Sequence, residues 1–308
     1  MSLATQPHRF DHLHESVRTI VDLPKNQRIE SLQKDLWIGY PVALSILGKL
    51  ESLLSHPRVL RMPNLLIVGD TNNGKSRIIE KFRVHHPATD TEDGESILAP
   101  VLVVQAPPVP DESRLYGAIL LALSAPFSHR DRAEKKLNQI VKLLSRIETK
   151  ILIIDEIHNI LAGNGMKIRG VLNAIKNLGN ELKISIVGAG TQDAYRAIQT
   201  DPQLSNRFEP APLPRWNLDD DFMRLLVSFE RVIPLAQPSD LTERSLAVKI
   251  HSLSEGLLGE VSSLLRKAAE ASILDGSEKI SKRLLDSVSF VPPSKRRWGG
   301  EGRGVGGF

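Results

Sequence analysis

The sequence contains no cysteine, which excludes disulfides, thiolate catalysis and cysteine-held metal. No apolar run approaches the roughly 20 residues that span a bilayer. Met1 to Arg28 is polar and offers no signal-peptide core, so a cytoplasmic protein without membrane contact is expected. Internal repeats are absent, as is any Asn-Lys-x-Asp motif of the guanine-reading kind. A global charge is lacking too, despite a formal +4 and a pI near 9.2. Lys295, Arg296, Arg297 and Arg303 against Glu301 supply +3 of that charge within 294–308. Elsewhere the chain is close to neutral, so a nucleic-acid surface there would have to be a local patch.

What is present is enough for a sizeable core: 308 residues, 41% hydrophobic and 25% charged. The stretch to about Pro57 reads as helical, with Ala43, Ile46, Leu47, Leu50, Leu53 and Leu54 at three- and four-residue spacing behind Pro41. Short apolar runs follow at Leu65–Val68, Val101–Gln105, Ile151–Ile154 and Ile184–Val187, with a fifth strand expected in Phe208–Leu213. Helices are expected between them, near Ser76–Val84, Glu112–Ser124, Arg132–Ile147 and Ile168–Gly179. Buried strands alternating with helices imply an α/β fold, a parallel sheet flanked by helices. Beyond Trp216 only helical patterns recur. The expected organisation is an N-terminal helical segment packing on the core (1–57), an α/β domain (58–215), a small all-helical domain (216–291) and a disordered basic Gly-rich tail (292–308).

Gly69-Asp70-Thr71-Asn72-Asn73-Gly74-Lys75-Ser76 matches G-x-x-x-x-G-K-[ST] in full. Its glycines let backbone N–H groups cradle phosphate oxygens, Lys75 reaches the β- and γ-phosphates, and the Ser76 hydroxyl ligates Mg²⁺. Arg77 completes the cofactor-binding set at the start of the following helix, whose positive end faces the phosphates. Asp155-Glu156 closes an apolar strand eighty residues beyond Lys75. Asp155 suits Mg²⁺, and Glu156 suits the orientation or deprotonation of water, which favours ATP hydrolysis. His158 follows closely, but a lone histidine is more often an ordinary core or surface residue than a ligand. Thr191, past the fourth strand, lies where a polar group could sense the γ-phosphate, although strand ends of α/β sheets often carry polar loops. Arg207 is a candidate arginine finger; a surface salt bridge is the plainer reading of it.

These elements in this order, followed by an all-helical domain, resemble an AAA+ ATPase with its lid. One branch is more similar: the TniB proteins, relatives of TnsC and ATP-dependent regulators of transposition. Trp37-Ile38-Gly39-Tyr40-Pro41, Arg61-Met62-Pro63-Asn64, Gln105-Ala106-Pro107-Pro108, Ile154 to Asn159 and Leu204 to Phe208 carry the resemblance, which runs from about residue 10 to 290. It implies ATP and Mg²⁺ as cofactors, with Ile38, Gly39 and Tyr40 beside the adenine. It implies a homo-oligomer, a ring or helical filament, on duplex target DNA, with Arg207 acting on a neighbour's nucleotide. A DDE transposase and a TniQ-like targeting protein are the implied partners. Arg114, Arg130, Arg132, Lys135, Lys136, Lys167 and Arg169 fall where such assemblies meet DNA, against the reading of solvated helix faces. AAA+ lids often carry an arginine at the start of a lid helix; here Arg266 comes about two turns in, after Gly256-Leu257-Leu258-Gly259-Glu260. The tail, with Trp298 beside its cations, reads as a solubilising end, a DNA tether or a docking peptide. Two other functions fit the same motifs: a nucleotide-gated scaffold with negligible turnover, and a helicase loader or signalling ATPase.

Overall fold

The apolar runs become strands of one sheet, and the amphipathic stretches between them become its helices. The computed structural model describes residues 10–34, 37–161 and 165–296. In chain order come α1 (Glu15–Val21), α2 (Lys25–Gln33) and α3 (Pro41–Leu54), which opens on Pro41 and buries Ala43, Ile46, Leu50 and Leu53. Strand β1 (Asn64–Gly69) leads through the glycine loop into α4 (Lys75–His85). A short antiparallel hairpin, β2 (Thr89–Asp90) and β3 (Ile97–Leu98), was not expected from its polar sequence. Then follow β4 (Val101–Gln105), α5 (Glu112–Ala122), α6 (Ala133–Arg146), β5 (Ile151–Asp155), α7 (Gly165–Leu182), β6 (Ser185–Gly190), α8 (Gln192–Gln199), α9 (Pro202–Ser205) and β7 (Phe208–Leu213). The remaining helices are α10 (Asp220–Val232), α11 (Arg244–Ser254), α12 (Leu258–Asp275), α13 (Lys282–Ser287) and α14 (Pro293–Arg296).

The five long strands pair in the order β4-β5-β6-β1-β7, every pairing parallel. The first strand of the sheet is thus inserted between two later ones. Ile151 to Ile154 and Leu65 to Ile67 are buried at 2% exposure or less, as a sheet covered on both faces requires. β6 separates β1 from β5, so the glycine loop and the acidic end of β5 meet on the same carboxyl edge of the sheet. The backbone ladder begins on a side chain: Asn64 Oδ1, buried, accepts from the N–H of Ile186 at 2.8 Å.

The described residues fall into two compact units, Gly39–Pro214 and a helical unit made of the chain up to Ile38 together with Arg215 onward. The expectation that residues 1–57 pack as one segment on the α/β core is corrected here. Only α3 does so. Ile29, Leu32 and Ile38 instead pack against the helical core of Phe222, Leu226, Val261, Leu265 and Ile273, because α2 has its apolar side matched there. The tail expectation is corrected in part. Pro293–Arg296 forms α14, and the Arg296 guanidinium donates to both oxygens of buried Glu260 at 2.8 and 2.6 Å. A carboxylate with 7% of its side chain exposed needs such a partner. Arg297 to Phe308, with Trp298, lie outside the described residues. No described helix is long and apolar enough to cross a membrane.

Candidate functional site

Two backbone conformations shape the glycine loop. Gly74 takes φ 94°, in the left-handed region, immediately before α4, and Asn72 takes φ 60°. Gly69 is required by proximity rather than φ: a Cβ there would lie 2.7 Å from the Leu213 carbonyl oxygen. Asn73, 2% exposed, closes the other side, donating through Nδ2 to the carbonyls of Leu213 at 2.8 Å and Pro214 at 2.9 Å. The loop is therefore fixed to the end of β7 as well as to β1 and α4. Thr71 and Arg77 are exposed on it.

Inside the loop Lys75 is 4% exposed, and its ammonium donates to the carbonyls of Gly69 at 2.9 Å and Asp70 at 2.8 Å. Burial pulls its pKa below the ordinary lysine value, opposed by the carboxylates of Glu156, Asp155 and Asp70. The Ser76 hydroxyl donates to Asp155 Oδ2 at 2.6 Å, joining the start of α4 to the end of β5. Two oxygen donors side by side, open to solvent at Ser76, suit Mg²⁺, which takes one or two protein oxygens and completes its shell with phosphates and water. No group of three metal-ligating side chains converges among the described residues. Asp155 Oδ1 accepts from the Glu156 N–H at 2.8 Å. Glu156 itself sits at φ 54°, ψ 34°, a conformation unfavourable for a non-glycine residue.

The other expected site residues divide. Thr191 caps α8 at the end of β6, and its hydroxyl makes no capping bond. Gly39 begins the α/β unit, whereas Ile38 packs into the helical one; Tyr40 is buried and its phenol pKa is pushed up to about 12 by that burial. Arg207 lies before β7, whose Phe208 pairs with Asn64 at the start of β1, and Leu213 pairs with Gly69 at its end. Six residue steps, about 20 Å of strand, therefore separate Arg207 from the residue level with Gly69. Its Nη1 donates to Asn180 Oδ1 at 2.7 Å, beside a cleft of about 670 Å³ lined by His56, Arg61, Gln203 and Asn206 among others. Arg266, on α12, donates weakly to Ser262 Oγ at 3.5 Å.

Of the expected DNA-facing residues, Arg114, Arg130, Arg132, Lys135, Lys167 and Arg169 are exposed, and Lys135 is paired with Asp131 at 2.7 Å. Lys136 is corrected out of that set. It is 3% exposed, donates to Ser113 Oγ at 2.9 Å and stands 5.4 Å from the centre of the Phe127 ring, so its charge serves the α5–α6 packing. Lys142 is exposed on the same face of α6 as Arg132, Lys135 and Asn138. Its spacing of seven from Lys135 places the two lysines on one face of the helix.

The model of the bacterial TniB protein family matches residues 28–218. The chain belongs to the TniB family. Solved structures place its fold. The Aeropyrum pernix ORC2 protein in its ADPNP–ADP complexes has a TM-score of 0.58 at 14% identity, over 83% of this TniB-family chain and 70% of that one. The Aeropyrum pernix ORC1 protein in complex with DNA gives 0.53 at 16%, over 84% and 68%. The fold is that of the AAA+ P-loop ATPases, a parallel sheet flanked by helices with a helical lid. Among curated proteins, the Lactococcus lactis ClpL ATP-binding subunit is 29% identical over 153 residues, and Nitratidesulfovibrio vulgaris ClpB 26% over 186. These alignments take in 48% and 56% of the TniB-family chain but only 18% and 20% of the relatives.

Proposed function

We propose that this TniB-family protein is a nucleotide-gated regulatory ATPase in which ATP, with Mg²⁺, controls assembly more than it drives turnover. The observation that carries the reading is the 2.6 Å bond between Ser76 and Asp155 beside the buried Lys75 ammonium. Bound phosphates would take over the donors that Lys75 now gives to Gly69 and Asp70. Ser76 and Asp155 would hold Mg²⁺, which neutralises charge on the phosphates. Glu156 would accept a proton from the attacking water. Arg207 stands a strand length from its own loop, which supports its serving a neighbour's nucleotide. Hydrolysis would then be slow and dependent on assembly.

The finer reading is transposition. The assembly would be a ring or filament on duplex target DNA, and it would recruit a DDE transposase and a TniQ-like targeting protein. Family membership supports this, as do the exposed Arg114, Arg130, Arg132, Lys135, Lys167 and Arg169. Binding through phosphates would be insensitive to sequence and weakened by salt. A scaffold with negligible turnover is the second reading, favoured by the engagement of Arg207 with Asn180 inside its own subunit.

Electron microscopy with duplex DNA, with and without a nonhydrolysable ATP analogue, tests the proposal. ATP-dependent ordered assemblies are expected for the wild type and none for Lys75→Ala. Assembly of Lys75→Ala on DNA, or wild-type monomers under every condition, would overturn it. Glu156→Gln separates the two readings: a scaffold keeps assembly and target choice unchanged without hydrolysis.

A further inference from the structure

Glu156 does not stand alone at the end of β5. The turn after it, Ile157–Ile160, is a short 3-10 helix whose two isoleucines are fully buried. Strand β6 makes room for it. A Cβ on Gly188 would lie 3.0 Å from Ile157 Cδ1, and one on Gly190 3.0 Å from Ile157 Cγ2 and 3.4 Å from the His158 nitrogen. The backbone of His158 is thus seated on β6 by close packing. From there its imidazole Nε2 comes 3.2 Å from Glu156 Oε2, with the two side chains 24% and 31% exposed.

The other ring nitrogen decides the proton's place. His158 Nδ1 is buried with no hydrogen-bond partner among the described residues. A proton there would be an unsatisfied buried donor. Nε2 is then the ring nitrogen placed to carry a proton toward Glu156 Oε2. The Glu156 charge also reaches Lys75, where it leads the carboxylates that oppose the burial-driven fall of the lysine's pKa.

We infer that His158 is a positioning residue: its Nε2–H pins one oxygen of the Glu156 carboxylate and leaves the other free for the attacking water. The inference rests on Glu156 acting as the general base. In that reaction the water oxygen bonds to the γ-phosphorus. The bond to the bridging oxygen breaks with its electron pair passing to ADP, and the water proton passes to the free oxygen of Glu156. Without the imidazole, a glutamate in a strained backbone conformation would sample other rotamers.

The test measures DNA-stimulated ATPase kinetics and binding of a fluorescent ATP analogue for His158→Ala, His158→Gln and Glu156→Gln in the full chain. His158→Ala should lower kcat about tenfold to a hundredfold, within the usual general-base contribution, with KM and nucleotide affinity within about twofold. His158→Gln, which restores an N–H at similar reach, should recover most of kcat. Unchanged kcat in His158→Ala while Glu156→Gln is inactive would overturn the inference and leave the base reading intact. Full activity of Glu156→Gln would remove the base reading itself. Ring-nitrogen NMR of the wild type is independent of turnover. A proton on Nε2 is expected, and finding the Nδ1–H tautomer would overturn the inference.

Discussion

Tyr40 and Tyr116 are buried, and both phenols have their pKa raised to about 12 by desolvation. In the unfolded chain they would ionise near 10. A group whose folded pKa lies above its unfolded value contributes stability that is complete below pH 10 and is lost as pH rises toward 12. Urea unfolding of the wild type should therefore show stability falling through that interval. The Tyr40→Phe/Tyr116→Phe double variant should show a shallower fall, and equal slopes would show that the two rings are not shielded. Residue-scale burial of another kind places Lys75: its ammonium is held by two carbonyls before any phosphate arrives.

At the scale of elements, the Asn73 side chain joins the glycine loop to the end of β7. Asn73→Ala would leave the carbonyls of Leu213 and Pro214 without their donor, a loss of about 1–3 kcal/mol. The expected outcome is a lower urea midpoint in the absence of nucleotide. Weakened ATP binding should accompany it, because the loop loses its tie to the strand that it packs against. A midpoint equal to that of the wild type would mean that water replaces the amide at no cost. Asn73 fills a variable position of the loop motif, where the sequence only requires the loop to turn. Its partners are 140 residues away in sequence, so no local pattern could show the contact.

At the scale of the molecule, the chain begins in the helical unit, passes through the α/β unit and returns. Arg28 holds the returning parts together. It is 5% exposed, and its guanidinium donates to both Glu278 oxygens, one at 2.9 Å, and to the Pro234 carbonyl at 2.7 Å. Arg28→Ala should destabilise the helical unit by about 1–3 kcal/mol, since the half-buried Glu278 carboxylate loses its charged donor. The hydrogen bond from Arg28 also holds the Glu278 carboxyl below its ordinary pKa. A depressed carboxylate contributes stability that is present above pH 4.5 and lost as pH falls below it. Wild type and Arg28→Ala should therefore converge in stability toward low pH, which circular dichroism melts can follow. A constant difference down to pH 3 would contradict that assignment.

The sequence by itself determined the phosphate loop, the acidic pair and four of the five long strands. Each is a local pattern: glycines at fixed offsets before Lys75, a carboxylate pair closing Ile151–Ile154, apolar runs too short for helices. It also determined the α/β class, because such runs alternating with amphipathic stretches can be buried in few ways. Tertiary structure alone decided the strand order, and with it the distance of Arg207 from its own loop. It alone decided that α2 packs with helices 200 residues later, and that Lys136 turns inward onto Phe127 while Lys135, one residue earlier, faces solvent. It alone brought Gly190 under His158. The physical reason is common to all of these. Periodicity records which side of an element is apolar, whereas the identity of the partner depends on close packing between residues far apart in the chain.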